Sequence, residues 1–386
     1  MNHTKKVDTG SQIKKKGRRL KRHLTEECII TGGGISTFNL EFLLDKKVLF
    51  SGVGNMKIHK AIALFSGGLD SIIAVKWMQN RGYSVHSVFF KAPYIFPERA
   101  LHYASKNNIE LEVIDISEDH IKLLDNPVYG FGKYFNPCID CHGLMFKKAA
   151  ELLPSRNADY IISGEVLGQR PKSQRHDALD SVGRLSGVKD LIIRPLSQNL
   201  LSDTLPLREG WIDKQDMLSI HGRGRYAQLA LAEQLGIVDF PSPAGGCLLT
   251  DRNYCLRIKD LKKHQQDTLE NIELLAWGRH FRLDNETKLI IGRDEAENEV
   301  LENMFRNGTK LQARDYMGPV GFITGNASYE TLSLALSIFL LYHPKAPENA
   351  AIEIWKVIDK QLTQHTVKIA TKAKKELNKD YLISYY

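Results

Sequence analysis

No apolar run in this sequence approaches the roughly 18 to 20 residues that a membrane span needs. The longest, Leu332 to Tyr342, is broken by Ser333 and Ser337, and mean hydropathy is −0.29, so a soluble chain is expected. Cysteine is scarce. Five in 386 residues cannot staple a small secreted domain, and the N-terminus lacks the apolar core and small-residue cleavage site of a leader. A reducing cytoplasm is the expected location. Surplus charge is scarce too once it is located. Of the net +8, residues 1–55 account for +6 through eleven Lys/Arg against five Asp/Glu, which leaves +2 for residues 56–386. A hydrophobic share of 42% with 25% charged residues excludes disordered and collagen-like classes and allows two or three globular domains.

The basic cluster Lys14, Lys15, Lys16, Arg18, Arg19, Lys21 and Arg22 reads as a solvated tail, with an RNA-binding arm as the other reading. Met56 stands just before an apolar strand. Residues 1–55 are therefore expected to be a disordered basic extension or to lie upstream of the true start. Gly32-Gly33-Gly34 fits neither G-x-G-x-x-G nor G-x-x-x-x-G-K-[ST] and reads as a loop.

From residue 60 onward short β-branched runs alternate with helical patterns. Strands are expected at 61–65, 84–90, 111–116, 158–163 and 190–195, and helices at 71–80, 97–107 and 144–153. Strands apolar on both faces, joined by crossover helices, require a doubly wound parallel α/β sheet. Such sheets bind ligands beyond the carboxyl ends of their strands. The first strand runs into Ser66-Gly67-Gly68-Leu69-Asp70-Ser71 and then a helix. The two glycines permit close backbone approach, the helix start supplies N–H groups and a positive dipole end, and Ser66 and Ser71 add hydroxyls. Asp70 suits such an anion site if Mg²⁺ bridges it to phosphate.

This segment resembles the PP-loop of the ATP pyrophosphatase superfamily. That resemblance implies ATP as substrate, adenylation of a carbonyl-type oxygen, and displacement of AMP by a nucleophile. Gly164-Glu165-Val166-Leu167-Gly168-Gln169-Arg170-Pro171-Lys172-Ser173-Gln174 resembles the GExLGQxxSQ segment of tRNA 4-thiouridine synthetases, one residue longer here. The resemblance implies nucleotide contacts at Gly164 and Gln174.

Three cysteines fall in motifs: Cys138 and Cys141 in Asn-Pro-Cys-Ile-Asp-Cys, and Cys247 in Pro-Ser-Pro-Ala-Gly-Gly-Cys. The residues alone leave four readings open. These are a cluster with a vacant iron, a zinc site completed by His142 or Asp140, a catalytic disulfide or persulfide pair, and inert buried thiols. Cys28 and Cys255 lack partner spacing. Cluster-dependent thiolases of the superfamily carry the same CxxC plus distant cysteine, which implies a [4Fe-4S] cluster on Cys138, Cys141 and Cys247. The order of SGGLDS, NPCxDC, GExLGQRPxSQ, RPLS, EGW, GRxR and PSPAGGCLLTD over residues 57–255 is similar to that of bacterial thiouridine synthetase-like proteins. Unlike the better-known 4-thiouridine synthetases, the chain has no room for a ferredoxin-like plus THUMP pair and shows no rhodanese segment.

The expected domains are 56–255, the PP-loop domain with Asp70, Cys138, Cys141 and Cys247 as its catalytic residues, and 266–386, a smaller α+β domain. In the latter, residues 278–298 read as two strands and a helix start and resemble a small RNA-binding domain of translation and tRNA-modification proteins. Arg223, Arg225, Arg279, Arg282, Lys288 and Arg293 are the candidate RNA contacts. The implied partners are tRNA and a sulfur donor, either inorganic sulfide or a desulfurase, with a homodimer allowed and no membrane. The implied activity is ATP-dependent thiolation of a tRNA uridine, position 4 favoured over position 2. The alternative is an amide-forming PP-loop ligase with structural zinc. A chain beginning at Met56 is expected to fold and act like the full chain. Loss of RNA affinity beyond what removal of the seven basic-cluster charges explains, read from salt dependence, would make the arm functional.

Overall fold

A computed structural model describes residues 57–243 and 246–384; Cys28, the glycine triplet, the basic cluster and the Met56 start lie outside the described residues. Residues 58–386 belong to one compact unit. β1 (Lys60–Leu64) leads into α1 (Leu69–Asn80), then come β2 (Ser84–Lys91), α2 (Glu98–Lys106), β3 (Leu111–Asp115) and α3 (Ser117–Leu123). α4 (Cys138–Leu152), β4 (Tyr160–Ser163), α5 (His176–Ser186) and β5 (Ile192–Ile193) complete the layer. The five strands are all parallel, in the order β3-β2-β1-β4-β5, as a doubly wound sheet requires.

Alternation along the strands feeds two cores. Ala61, Ala63 and Ile162 pack with Ile72, Ile73 and Met78 of α1, whereas Ile62, Ile161 and Ile192 pack with Phe146 of α4 and Val182 of α5. Both faces are apolar because both are covered. The chain leaves β1 for β2 on one side and meets β4 on the other. The crevice at that reversal lies beyond the carboxyl ends of β1 and β4.

Several boundaries depart from expectation, among them β4, which starts at Tyr160 rather than at 158. α4 begins at Cys138 rather than at 144, so CxxC forms its first turn, with Cys141 N–H donating to the Pro137 carbonyl at 2.8 Å. β5 holds two residues instead of six, because Lys189–Leu191 forms a 3₁₀ turn and Pro195 has no N–H to give the sheet. α1 starts two residues early, at Leu69.

α6 (Leu205–Arg208), α7 (Tyr226–Gln234), α8 (Arg252–Lys263) and α9 (Leu269–Leu274) lead to a second sheet. Its strands are β6 (Arg279–Arg282), β7 (Lys288–Ile291), β8 (Gly308–Ala313), β9 (Gly321–Thr324), β10 (Asn349–Ile358) and β11 (Gln361–Thr371). They run antiparallel in the order β11-β10-β8-β9-β7-β6. α10 (Glu295–Met304) and α11 (Tyr329–Leu341) cover opposite faces: Ile290 and Phe322 meet Leu301 of α10, while Leu289, Ile291 and Ile323 meet Leu336 and Phe339 of α11. The β6–β7 hairpin and following helix agree with the sequence reading.

Gly143 sets the spacing of the cysteine-bearing helix, since a Cβ there would stand 2.6 Å from Leu185 Cβ of α5. Gly143→Ala is expected to cost about 1–3 kcal/mol by overpacking. Urea unfolding tests this, and an unchanged midpoint would show that α4 and α5 separate freely.

Candidate nucleotide and sulfur site

At the end of β1 the backbone is fixed by space as well as dihedral. Gly67 has φ +73°, and a Cβ on it would lie 2.7 Å from Ala100 Cα of α2. α1 has Gly68 at its N-cap and no side-chain cap, so its first-turn N–H groups and positive dipole end suit an anion. Ser71 Oγ donates to the Gly68 carbonyl at 2.8 Å and stands 3.2 Å from the exposed Ser66 Oγ.

Asp70 sits on the first turn of α1. Its Oδ2 accepts from Gln169 Nε2 at 2.6 Å, and Gln169 Oε1 accepts from the buried Gln228 Nε2 at 2.8 Å. Oδ1 is buried with no partner. Burial raises the Asp70 pKa, opposed by the Gln169 hydrogen bond and the charges of Arg225 and Arg170. A partnerless carboxylate oxygen beside an anion-binding loop fits a hard divalent cation, which makes Asp70 a suitable holder for Mg²⁺.

Gly164 lies at the neighbouring strand end. A Cβ there would fall 2.5 Å from Ser71 N and 2.6 Å from the Asp70 carbonyl, so the GEVLGQ loop touches the phosphate loop backbone to backbone. Gln174 does not fit the role the resemblance implied. It is buried, and its Oε1 accepts from Arg170 N–H at 3.1 Å, closing its own loop. Gln169 is the glutamine that reaches the phosphate loop. The other motifs support this loop: Ser197 Oγ accepts from Leu167 N–H at 2.9 Å, and Gly222 N–H donates to the Leu167 carbonyl at 2.7 Å.

Cys138, Cys141 and Cys247 are free thiols and are brought together. Burial raises all three pKa values, Cys247 to about 11 and Cys141 well above its usual value, and the charges of the other two cysteines add to the rise at Cys141. Buried Cys255 donates to the Leu249 carbonyl at 3.1 Å and plays a packing role. Among the described residues no group of three or more His, Cys, Asp or Glu side chains is set to hold a single metal ion. The two candidates for a fourth zinc ligand each make a hydrogen bond to the protein. Asp140 Oδ1 accepts from Val128 N–H at 2.6 Å, and His142 Nδ1 lies 2.7 Å from Glu165 Oε1. Three soft donors suit a three-cysteine cluster, and a histidine held by a carboxylate through Nδ1, as His142 is, keeps Nε2 for a metal, so the donor set suits zinc as well.

Sequence reasoning missed two residues here. Buried His120 places Nε2 3.0 Å from Cys141 Sγ, and Tyr94 Oη lies 2.5 Å from its Nδ1. With the tyrosine hydrogen on Nδ1, the ring carries its own hydrogen on Nε2 and donates it to the sulfur. Burial holds the His120 pKa down to about 4, so the ring is a neutral donor. Only the fold brings a histidine from α3 to the first turn of α4. Arg170 and Lys172 lie in the segment that is one residue longer than GExLGQxxSQ, and both charges act on Cys138, that of Arg170 also on Asp70.

The candidate RNA contacts divide. Lys288 is 2% exposed and cannot present its ammonium to a phosphate. Arg282 is half-buried and bound to Asp260 through Nη2 at 2.6 Å. Arg293 pairs with Glu297 through Nε at 2.8 Å, and Arg279 lies over the Tyr342 ring. Arg225 acts on Asp70, and Arg223 is exposed. A signal lay further on: residues 360–375 hold five lysines and no acidic residue.

Residues 57–199 match the family described as thiamine biosynthesis protein (ThiI), and residues 278–382 match the NFACT protein RNA binding domain. A tRNA-specific 2-thiouridylase MnmA from Petrotoga mobilis is 30% identical over 134 residues, covering 29% of this chain and 36% of that protein. The chain spans about a third of the length of the curated relatives it matches. Among solved structures, a 4-thiouridine synthetase–RNA complex with bound ATP is 18% identical at a TM-score of 0.28, covering 46% of this chain and 52% of that one. The U34-tRNA thiolase NcsA from Methanococcus maripaludis with its [4Fe-4S] cluster is 13% identical at 0.26, covering 56% and 70%. Likeness at these scores bears on neither mechanism nor specificity.

Gly164→Ala is expected to push the phosphate loop off its seat, weakening ATP binding at least about tenfold while the protein stays folded. Calorimetric titration with ATP checks this; undiminished affinity would show that the 2.5 Å approach is not needed for the nucleotide.

Proposed function

We propose that this chain, which joins a PP-loop domain of the thiamine biosynthesis protein (ThiI) family to an NFACT-type RNA-binding domain, is an ATP-dependent tRNA thiolase. One observation carries the reading. The phosphate loop and the cysteines lie within reach of one cation, since the charge of Arg170 acts on both Asp70 and Cys138.

The Gly67-Gly68 backbone, the first turn of α1, Ser66 and Ser71 bind the triphosphate, and Asp70 would hold Mg²⁺ there to neutralise phosphate charge. A uridine carbonyl oxygen attacks the α-phosphorus, a C–O–P link forms, and the α–β phosphoanhydride breaks with loss of pyrophosphate. Arg170 and Arg225 offset the charge that gathers there. Cys138, Cys141 and Cys247 would hold a [4Fe-4S] cluster, which when bound presents sulfide from the donor in deprotonated form. The sulfur nucleophile adds to the activated ring carbon, and AMP departs with the former carbonyl oxygen. Tyr94 and His120 keep an N–H directed at the Cys141 sulfur. The C-terminal domain, with its run of lysines at 360–375, holds the tRNA.

The GEVLGQ segment supports position 4 of uridine as the favoured site. The relatives named tRNA-specific 2-thiouridylase favour position 2 as the second reading. Mass analysis of tRNA nucleosides from a deletion strain decides between them, and an unchanged nucleoside profile removes the thiolase reading.

Asp70→Ala is expected to abolish pyrophosphate release while RNA binding persists. Each single Cys→Ala change at 138, 141 or 247 should lose thiolation yet keep ATP binding. Anaerobically purified protein should be brown, with about four irons per chain. Zinc in place of iron would return the site to a structural role, and full activity in air after iron chelation would favour persulfide chemistry.

A further inference from the structure

The segment 125–137, between α3 and α4, is held by both cysteine-bearing segments. Asp140, inside the CxxC pair, accepts from Val128 N–H at 2.6 Å. Phe135 N–H donates to the carbonyl of Leu249, two residues past Cys247, at 3.3 Å, and Gly132 N–H donates to the Asn136 carbonyl at 2.7 Å. A loop pinned this way against a buried site would ordinarily turn its apolar side chains inward. Here Val128 is 75% exposed, Tyr134 40% and Phe131 37%.

The backbone is unusual as well. Tyr134 has φ +62°, a left-handed conformation that an aromatic residue rarely adopts and that the surrounding structure must enforce. Phe131 stacks on Phe135 with centroids 4.3 Å apart and planes at 19°, which leaves its other face available. Two lysines border the rings: Lys133 Nζ lies 5.1 Å from the Tyr134 centroid, and Lys172 packs against Gly132; toward the cysteines, the charges of Lys172 and Arg170 act on Cys138.

The geometry points to a stacking platform for unpaired nucleotides of the RNA substrate. Phe131 and Tyr134 take the faces of bases beside the reacting uridine, and Lys133, Lys172 and Arg170 take the intervening phosphates. The assignment rests on the thiolase reading. A uridine inside a stacked helix cannot bring a ring carbon to buried thiols, so it must leave its stack. Exposed π-faces next to cations return the stacking lost by its neighbours, independent of base identity. A purely apolar protein partner would have no use for two lysines at the rim, so the mixed character of the patch selects RNA.

The test uses the full chain with two probes: an unmodified tRNA transcript, and a short single-stranded oligoribonucleotide carrying 5-bromouridine, compared with the same sequence in a duplex. Photo-crosslinking and mass mapping on the unaltered protein should place the crosslink within residues 127–136. The double variant Phe131→Ala with Tyr134→Gly should bind the single strand about tenfold or more weakly, with duplex binding unchanged. Tyr134→Phe, which keeps the ring, should bind normally. Glycine at 134 accepts the left-handed backbone, so the loss is not attributable to strain. Crosslinks confined to 278–382, or full affinity in the folded double variant, would overturn the platform and leave the thiolase reading standing. A change in oligomeric state of the RNA-free variant would show that the loop meets a second copy instead. Failure of the unaltered protein to bind either probe would remove both.

Discussion

The site depends on one buried carboxylate. Glu165, next to Gly164 at the end of β4, is 2.7 Å from His142 Nδ1 and 2.8 Å from Arg194 Nε. Burial would raise its pKa, but Arg194 and His142 outweigh burial and hold it down to about 2. A depressed carboxylate stabilises the fold above its ordinary pKa, so this tie weakens only as pH falls from about 4.5 toward 2. His142 belongs to the helix that begins with CxxC, and Arg194 belongs to the turn after β5. One side chain therefore fixes the cysteine helix to the strand whose backbone supports the phosphate loop. Removing one partner would strand a charge in the interior, a cost of about 3–5 kcal/mol in comparable buried pairs.

Closeness is achieved through glycine where charge cannot do it. Gly67 lies against α2 and Gly164 against the start of α1, and both contacts are too short for a side chain. The layered sheet supplies the carboxyl-edge crevice, and these two residues let loops from β1 and β4 occupy it together. Arg170 and Lys172 then place positive charge toward the cysteine pocket. Chemistry that moves an adenylate toward a sulfur nucleophile needs positive charge on that path, because phosphate and thiolate repel each other.

Much of this was legible in the sequence because it is local. The strand runs, the SGGLDS turn and the β6–β7 hairpin are set by periodicity and glycine position within a few residues. Contacts between distant segments were not legible. His120 meets Cys141 across the α3–α4 packing, Gln169 rather than Gln174 bonds Asp70, and Lys288 looked like a surface cation but faces Asp260, Arg282 and Arg257 in the interior, where burial lowers its pKa to about 7. α4 starts six residues before the expected 144, and within that added stretch Gly143 serves as a packing surface for Leu185.

The cysteine pocket shows why the same fold can serve different nucleophiles. Three thiols packed close in a buried setting all have raised pKa values, so without a bound electrophile each holds its proton and is a poor nucleophile. A cationic centre reverses that balance, since soft thiolates gain from it what they lose by burial. Asp140 and His142, the nearby hard and borderline donors, are hydrogen-bonded to the 128–129 backbone and to Glu165. A neutral His120 N–H is directed at one of the three sulfurs, a contact that favours the thiolate once such a centre is bound.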